Sequence, residues 1–197
     1  APVTTDPGAD ENAPAPVPVA EATPRSADEH DHHPDKLVRA GEAADVDNPF
    51  HPIRLYLSSQ ENTGSVTFYE FEVPPQSPGS PPHTHSREDE YFFILEGRLS
   101  VLSGEDVLKL DAGDFAALNR GNTHMFWNAG DEPVRLLMAT TGGSFEEFMA
   151  KVAPTLAAAA PADPMQAGAV VGQLAQEYGI EISMEKMPAE AAPFYGQ

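Results

Sequence analysis

A series of short β-type runs, interrupted by turn-forming residues, is the feature that most constrains how this chain of 197 residues can fold. Between Ile53 and Thr140, apolar and β-branched segments alternate with stretches such as Asp111-Ala112-Gly113-Asp114. This spacing is typical of an all-β sandwich or barrel. The predicted strands are Ile53–Leu57, Val66–Val73, Tyr91–Leu95, Arg98–Ser103, Val107–Leu110, Phe115–Leu118, His124–Asn128 and Val134–Thr140. Short antiparallel strands joined by tight turns favour a double-sheet jelly roll over residues 51–142.

The first 50 residues differ in composition from the predicted barrel. They are rich in Ala, Pro, Asp and Glu and contain almost no aromatic residues. A segment of this kind buries too little apolar surface to offset the entropy that it loses on ordering. We therefore expect residues 1–50 to form a disordered acidic tail.

Residues 143–197 have a longer hydrophobic period and are predicted to form a helical extension. Ser144 is a candidate N-cap for a helix over Phe145–Val152, which has acidic residues in its first turn. A linker over Ala157–Pro164 precedes a second predicted helix, Met165–Tyr178, which a glycine ends. We expect these helices to cover the barrel or a dimer partner rather than to carry catalysis.

The overall composition excludes several classes of function. The chain has no cysteine, which excludes disulfides, zinc–thiolate sites and cysteine nucleophiles. Its formal net charge is −20, and no cluster of Lys and Arg is present to bind phosphates, so we expect no nucleic-acid partner. No apolar run reaches the length of a membrane span. The chain starts at Ala1 rather than Met, from which we expect an exported mature protein, with a cytoplasmic location as the alternative.

Three histidines and one glutamate have the spacing of a metal site. His83 and His85 are two residues apart, so both rings leave the same face of a strand. Glu90 opens the next apolar strand, and His124 opens a distant one. Three imidazole nitrogens and one carboxylate oxygen suit a single divalent transition metal ion with an open position for a ligand. Iron, nickel, copper, manganese, cobalt and zinc all fit this donor set.

Two other acidic residues compete with Glu90 for the fourth ligand position. Glu88 and Asp89 immediately precede it. Glu90 begins the apolar strand and lies six intervening residues before Gly97, whereas its two neighbours carry no such signal. We therefore interpret Glu88 and Asp89 as part of a solvated turn.

The barrel region resembles the cupin superfamily, and two motifs carry the resemblance. The first motif is the His-x-His of residues 83–85, followed by Glu90 and then by Gly97; the second spans residues 113–128, with His124 as its ligand. The chain departs from the usual patterns at Gly79, which lies closer to the first histidine, and at Asn119, which replaces a proline. Both are turn positions rather than ligands, and the resemblance implies a cupin barrel.

A narrower resemblance concerns the activity. The strand Glu90–Gly97 and residues 142–148 are similar to those of single-domain bacterial proteins related to quercetin 2,3-dioxygenase. That resemblance implies a metal-dependent dioxygenase that uses O2 to cleave a flavonol or a similar enolisable aromatic. It also implies that Glu90 is both a metal ligand and the base that takes the substrate's hydroxyl proton. Cupins are commonly dimers, so the resemblance further implies a homodimer.

Four aromatic residues are candidates for the wall of a substrate pocket. Phe92 and Phe126 lie two residues from ligands on their strands, so they are predicted to point inward near the metal. Tyr69 and Phe71 face the core according to the alternation of Val66–Val73. An ordinary barrel core would show the same pattern.

Two other classes of function use the same ligands. A lyase or isomerase acting on a small polar metabolite would employ Tyr91, Tyr69 or Tyr56 for proton transfer. Such a substrate requires charge-matching residues inside the barrel, and the predicted inner faces offer few. A non-catalytic cupin that binds a metal or a small ligand is the third possibility.

Overall fold

The computed structural model describes residues 33–196, and within them two antiparallel sheets enclose one core. The strands are β1 Ala44–Asp45, β2 Ile53–Leu57, β3 Val66–Val73, β4 Ser77–His85, β5 Glu90–Glu96, β6 Arg98–Ser103, β7 Asp106–Asp111, β8 Phe115–Leu118, β9 His124–Asn128, β10 Val134–Thr141 and β11 Ile180–Ile182. The helices are α1 Ser144–Ala159 and α2 Pro164–Glu177, and short 3-10 turns lie at Ser59–Glu61, Met184–Lys186 and Ala192–Tyr195. All eight predicted strands are present, with ends that differ by at most one residue.

The six-stranded sheet has the order β1-β2-β3-β10-β5-β8, and the five-stranded sheet has the order β11-β4-β9-β6-β7. Every strand pairing is antiparallel. The predicted alternation holds on β3, where Tyr69 and Phe71 point into the core and Phe68 is exposed. Strand β9 is buried on both faces, because Met125 and Trp127 pack under the C-terminal segment that includes Phe194. The fold is the expected all-β jelly-roll barrel.

Strand β4 was not among the predicted strands, although its two histidines were expected on one. It contains Pro78, Pro81 and Pro82, which cannot donate to a ladder and which argue against a strand in sequence. The structure accommodates them with irregular pairing, since the register against β9 shifts between Pro78 and Ser80 and again between Ser80 and His83. At such bulges the backbone leaves the regular ladder, so the missing N–H of a proline removes no hydrogen bond between strands.

The segment that was predicted to be a disordered tail is described only from residue 33 onward. Within that part, β1 pairs with β2, Val46 packs against the core, and Lys36 Nζ lies 2.5 Å from Glu61 Oε2. The barrel therefore begins before residue 51. The prediction for residues 1–32 lies outside the described residues.

The two predicted helices exist, but the first differs in its ends. Gly143, with φ 76°, is the N-cap of α1, and Ser144 makes no capping hydrogen bond, so the predicted cap is wrong. The helix continues through Pro154 to Ala159, beyond the predicted end at Val152 and into the predicted linker. Helix α2 begins after Asp163, whose carboxylate accepts from Gln166 N at 2.8 Å.

The helices close one end of the barrel. Phe145, Phe148 and Val152 of α1 and Leu174 of α2 belong to the same hydrophobic core as the inward-facing strand residues. After α2 the chain returns as β11 and pairs with β4 along His83–His85. Neither helix, nor any other in the described part of the chain, is long and apolar enough to cross a membrane.

Candidate metal centre

The structure brings together the four predicted ligands. His83 and His85 leave the end of β4, Glu90 begins β5, and His124 begins β9 directly opposite His83. One potential ligand atom from each residue lies within 4.8 Å of all the others. All four side chains are buried, and His83, at 6% exposure, is the most accessible. Two distant motifs therefore meet at a single point inside the barrel.

Each histidine is anchored through its Nδ1 atom. His83 Nδ1 lies 2.8 Å from the carbonyl oxygen of Pro81, and His124 Nδ1 lies 3.2 Å from that of Asn122. A carbonyl oxygen can only accept, so both Nδ1 atoms carry the proton and donate it. In a neutral ring this leaves the Nε2 lone pair free to bind a metal.

The inward-facing atoms are acceptors placed against one another. His83 Nε2 lies 3.0 Å from His85 Nε2, and His124 Nε2 lies 2.9 Å from Glu90 Oε2. With the Nδ1 protons directed outward, these contacts bring lone pairs together, which requires a shared proton or a cation between them. Three imidazole nitrogens and a carboxylate oxygen fit a divalent transition metal ion. The residues present therefore fit the metal that the sequence predicts.

Burial and neighbouring charges give two of the candidate ligands, His83 and Glu90, the protonation state that metal binding needs. Burial, followed by repulsion from His124 and His85, lowers the pKa of His83 to about 3. Burial alone would raise the pKa of Glu90, but the hydrogen bond with His124 and the nearby imidazoles outweigh it and hold this pKa at about 2. At neutral pH His83 is therefore a neutral imidazole and Glu90 is a carboxylate, the forms that bind metals.

Glu88 is not part of a solvated turn, which corrects the prediction. Its side chain is fully buried, and its Oε2 lies 3.1 Å from His85 Nδ1. Burial lowers the pKa of His85, but this hydrogen bond and the charges of Glu90 and Glu88 raise it above its ordinary value overall. The turn places Glu88 behind a ligand, and no periodicity in the sequence signals that placement.

Asp89, by contrast, points away from the ligand group. It forms a two-pronged ion pair with Arg120, whose Nη2 lies 2.8 Å from Asp89 Oδ2. Hydrogen bonds from Arg120 lower the pKa of Asp89 to about 2. Asp89 therefore ties the turn before β5 to the turn after β8.

The four aromatic residues of the predicted pocket wall form a continuous row in the core. Tyr69 contacts Phe71, Phe71 contacts Phe126, and Phe126 contacts Phe92, each edge to face with ring centroids 5.4–6.4 Å apart. All four are at most 4% exposed. This packing is that of an ordinary barrel core. Contact of these four rings with a substrate remains a prediction.

Sequence reasoning missed Phe145, the aromatic residue that packs on the candidate ligand His85. Its ring centroid lies 5.5 Å from that of His85 and 6.2 Å from that of Tyr69. It belongs to α1, which was expected to cover the barrel and to have no role at the site. Phe145 and Phe148 are three residues apart and therefore lie on one face of the helix. This spacing was the available signal that the helix packs both rings against the barrel core.

The buried charges near the centre are negative. Among residues 33–196 no Lys or Arg is buried, and the buried carboxylates are Glu70, Glu88 and Glu90. Glu70 is paired with Arg54 and Arg135 on the outer face of the six-stranded sheet. Within the described residues, the interior therefore offers no Lys or Arg to an anionic ligand.

A surface cleft of about 430 Å³ lies beside β1 and β2. Its lining includes Asp45, Phe50, His51 and Arg54, and it contains none of the four metal-ligand candidates. None of the four predicted pocket aromatics lines it either. The cleft is therefore separate from the candidate metal centre, although the ring centroid of His51 in its lining lies 6.4 Å from that of Phe71.

Comparison with known proteins agrees with this fold. Residues 69–140 match the family model of the cupin domain, and with the jelly-roll barrel this supports the cupin superfamily. The chain is 35% identical over 83 residues to a putative germin-like protein 9-2 of Oryza sativa subsp. japonica, and 34% identical over 83 residues to its germin-like protein 9-3. Each match covers 40% of this chain, which thus spans 38% of the length of these curated relatives.

Solved structures with similar folds include a sugar phosphate isomerase of Silicibacter pomeroyi and the polyketide cyclase RemF of Streptomyces resistomycificus. The first is 28% identical, with a TM-score of 0.37 over 39% of this chain and 50% of that one. The second is 22% identical, with a TM-score of 0.46 over 54% of this chain and 79% of that one.

Proposed function

We propose that this cupin is a metal-dependent dioxygenase that acts with O2 on a flavonol or a similar enolisable aromatic. The supporting observation is the convergence of three Nε2 atoms and one carboxylate in an interior whose other lining is apolar and aromatic. Both atoms of O2 enter the substrate in such a reaction, so no external reductant is needed. The reaction therefore needs only the substrate, O2 and the metal centre.

The three histidines and Glu90 would hold the ion. The metal, when bound, supplies a Lewis acid that lowers the pKa of a substrate hydroxyl at an open coordination position. The anchors on the Nδ1 atoms fix the rings before any ion arrives, so that little ordering remains to be done on binding. This part of the chain is preorganised for a cation.

Glu90 is the side chain positioned to accept a proton at the centre. Its Oε2 already contacts His124 Nε2 at 2.9 Å, and its Oε1 lies 3.6 Å from His85 Nε2. A carboxylate with a pKa of about 2 is a weak base, so it takes a proton only from a hydroxyl that is itself acidified. A flavonol or another enolisable aromatic offers such a hydroxyl.

The surroundings favour a flat apolar substrate over a small anion. Phe145 packs on His85, and the core behind it is aromatic, so a ring system would stack there and exclude water. A carboxylate or phosphate substrate would find buried Glu88 and Glu90 and, in the described part of the chain, no buried Lys or Arg. Charge complementarity therefore favours the aromatic substrate.

The alternative, a lyase or isomerase, depends on a tyrosine for proton transfer. Tyr56 donates to Glu70 on the outer face of the sheet, and Tyr91 stacks on Phe115 with ring centroids 6.2 Å apart. Neither hydroxyl belongs to the ligand group. Tyr69 is buried, and its burial, followed by the charge of Glu146, raises its pKa far above the ordinary value. Of these three tyrosines, only Tyr69 remains for that role, which makes the lyase or isomerase less favoured. A non-catalytic binder would show no turnover with any substrate.

Oxygen consumption tests the proposal. Protein stripped of metal and reloaded with each candidate divalent ion would be mixed with a panel of flavonols, and with flavones that lack the 3-hydroxyl as matched controls. We expect uptake with the flavonols alone, and none with the metal-free protein. Absence of uptake with every flavonol, despite measured metal occupancy, would contradict the dioxygenase and favour the non-oxidative alternatives.

A further inference from the structure

The three ligand histidines are anchored in two different ways. His83 and His124 each donate from Nδ1 to the backbone carbonyl two residues earlier in the chain. His85 instead faces a side-chain carboxylate, that of Glu88, at 3.1 Å. Of the three histidines, His85 thus has the carboxyl group of a side chain, rather than a backbone carbonyl, next to its Nδ1 atom.

The environment of Glu88 is unfavourable in the folded chain without a cation. Its side chain is fully buried, and its Oε1 has no hydrogen-bond partner among the described residues. Among residues 33–196, the one hydrogen bond of its carboxyl group is with His85. A buried carboxyl oxygen without a hydrogen-bond partner costs stability, because water satisfies that atom in the unfolded state. Packing alone does not explain a glutamate at this position.

Metal binding would supply the missing positive charge. A divalent ion held by His85 would polarise the ring and make its Nδ1–H a stronger donor, so the contact with Glu88 would become charge-assisted. In return, the carboxylate fixes the Nδ1–H tautomer and makes Nε2 a better ligand. Glu88 and Glu90 also place one carboxyl group on each side of the His85 ring, at Nδ1 and at Nε2.

We propose that Glu88 is a positioning residue of the metal centre. Its carboxyl group holds His85 in a carboxylate–imidazole–metal triad. This contact raises the affinity for metal and lowers the stability of the metal-free protein. This inference rests on the metal centre that the proposed function requires, but not on the identity of its substrate. It makes one distinctive prediction. Removing the carboxylate should weaken metal binding while leaving the metal-free fold at least as stable as before.

Metal titration of purified full-length protein tests this inference without any assay of turnover. The metal-free wild type and the variants Glu88→Gln and Glu88→Leu would be titrated with Co²⁺, with the visible spectrum and the dissociation constant as readouts. Gln keeps an oxygen acceptor without the charge, whereas Leu removes both. Asp89→Asn is the matched control, because it removes a neighbouring charge that pairs with Arg120 instead of with a ligand.

We expect affinity to fall by about 10-fold in Glu88→Gln and by up to roughly 100-fold in Glu88→Leu, with an altered Co²⁺ spectrum in the second. Asp89→Asn should bind Co²⁺ like the wild type. Without metal, both Glu88 variants should melt at or above the wild-type temperature. Because Gln is close to Glu in shape, Glu88→Gln provides the affinity test if the leucine variant does not fold.

Two results would overturn the inference while leaving the dioxygenase proposal intact. Wild-type affinity in the folded Glu88→Gln and Glu88→Leu proteins would show that the carboxylate does not act through His85. A large loss of metal-free stability with unchanged affinity would assign Glu88 a purely structural role. If the wild type binds no metal, the metal centre, the dioxygenase and this inference fail together.

Discussion

Glu90 combines two properties at the residue scale that the three histidines do not share. It brings the negative charge of the ligand set, and it is the group there that can accept a proton from a substrate. Its Oε2 lies 2.9 Å from His124 Nε2, so both roles fall on the same carboxylate. The two roles can be separated by a substitution that keeps the shape and removes the charge.

Glu90→Gln is predicted to retain metal at reduced affinity and to lose turnover by about 100-fold or more, because the amide can donate an oxygen but is not a base. Metal content and oxygen uptake measured on the same preparation check this. Glu96→Gln, at the exposed far end of β5, is the control and should match the wild type. Full turnover in Glu90→Gln would remove the role as base.

Sequence spacing was sufficient to predict that these four side chains meet, but not which residues support them. His83, His85, Glu90 and His124 converge as expected because strand periodicity and motif spacing fix their directions. Glu88 was misjudged because the burial of a turn depends on which elements cover it. Here α1 and β11 close over that end of the barrel, and no local pattern records their packing.

Helix α1 is fastened to the barrel by one acidic side chain, and this contact belongs to the element scale. Glu146 accepts hydrogen bonds from Ser58 Oγ at 2.5 Å, from Ser59 N at 2.7 Å and from Thr67 Oγ1 at 2.8 Å. These bonds hold the start of the helix, and therefore Phe145, against β3.

We predict that Glu146→Ala lowers the free energy of unfolding by about 2 kcal/mol at neutral pH, since three donors lose a charged acceptor. Burial raises the pKa of Glu146, but hydrogen bonds from Ser58, Ser59 and Thr67 outweigh it and lower the pKa below its ordinary 4.5. A depressed pKa gives stability above pH 4.5 that is lost as the pH falls through the folded value. Denaturant melts between pH 7 and pH 3 measure both effects.

The neighbouring Glu147 provides the control for this prediction. It is exposed and occupies the same first turn of α1, so Glu147→Ala should change stability little at any pH. The difference between the wild type and Glu146→Ala should shrink toward acid pH. A difference that stays constant from pH 7 to pH 3 would show that the loss comes from packing and not from the carboxylate.

The strands also show where sequence patterns fail at the scale of elements. Alternating apolar runs such as Val66–Val73 were placed correctly because their burial is visible in their own residues. Strand β4 has three prolines and little alternation, and it forms because its neighbours β9 and β11 impose it. Helix α1 was similarly predicted to end at Val152, yet it continues past the exposed Pro154 to Ala159.

At the scale of the whole molecule, the outer face of the six-stranded sheet carries an aromatic surface. Phe68, Phe93 and Phe115 lie on three strands of this sheet and are 40%, 41% and 61% exposed. Ion pairs of both signs border the surface, namely Arg120 with Asp89 and Arg135 with Glu96. A clustered apolar surface with a mixed-charge rim is suited to a self-complementary contact.

We propose that two copies of the chain pack through this surface, in line with the homodimer that the sequence resemblance implies. Phe93→Glu combined with Phe115→Glu should convert a dimer into a monomer, because the charges would be buried in the contact. Light scattering after size exclusion measures the mass. Leu108→Glu on β7, 41% exposed on the other sheet, is the control and should stay dimeric. A monomeric wild type, or a dimer in the double variant, would contradict this proposal.

The claim on which the whole account depends is that four side chains from two distant segments bind one metal ion. Metal content per chain, measured after loading and removal of excess ion, tests it directly in His83→Ala, His85→Ala and His124→Ala, with His51→Ala as a histidine control from the separate cleft. We predict one ion per chain in the wild type and in His51→Ala, and almost none in the other three. Metal content near the wild-type level in any of those three variants would contradict the account.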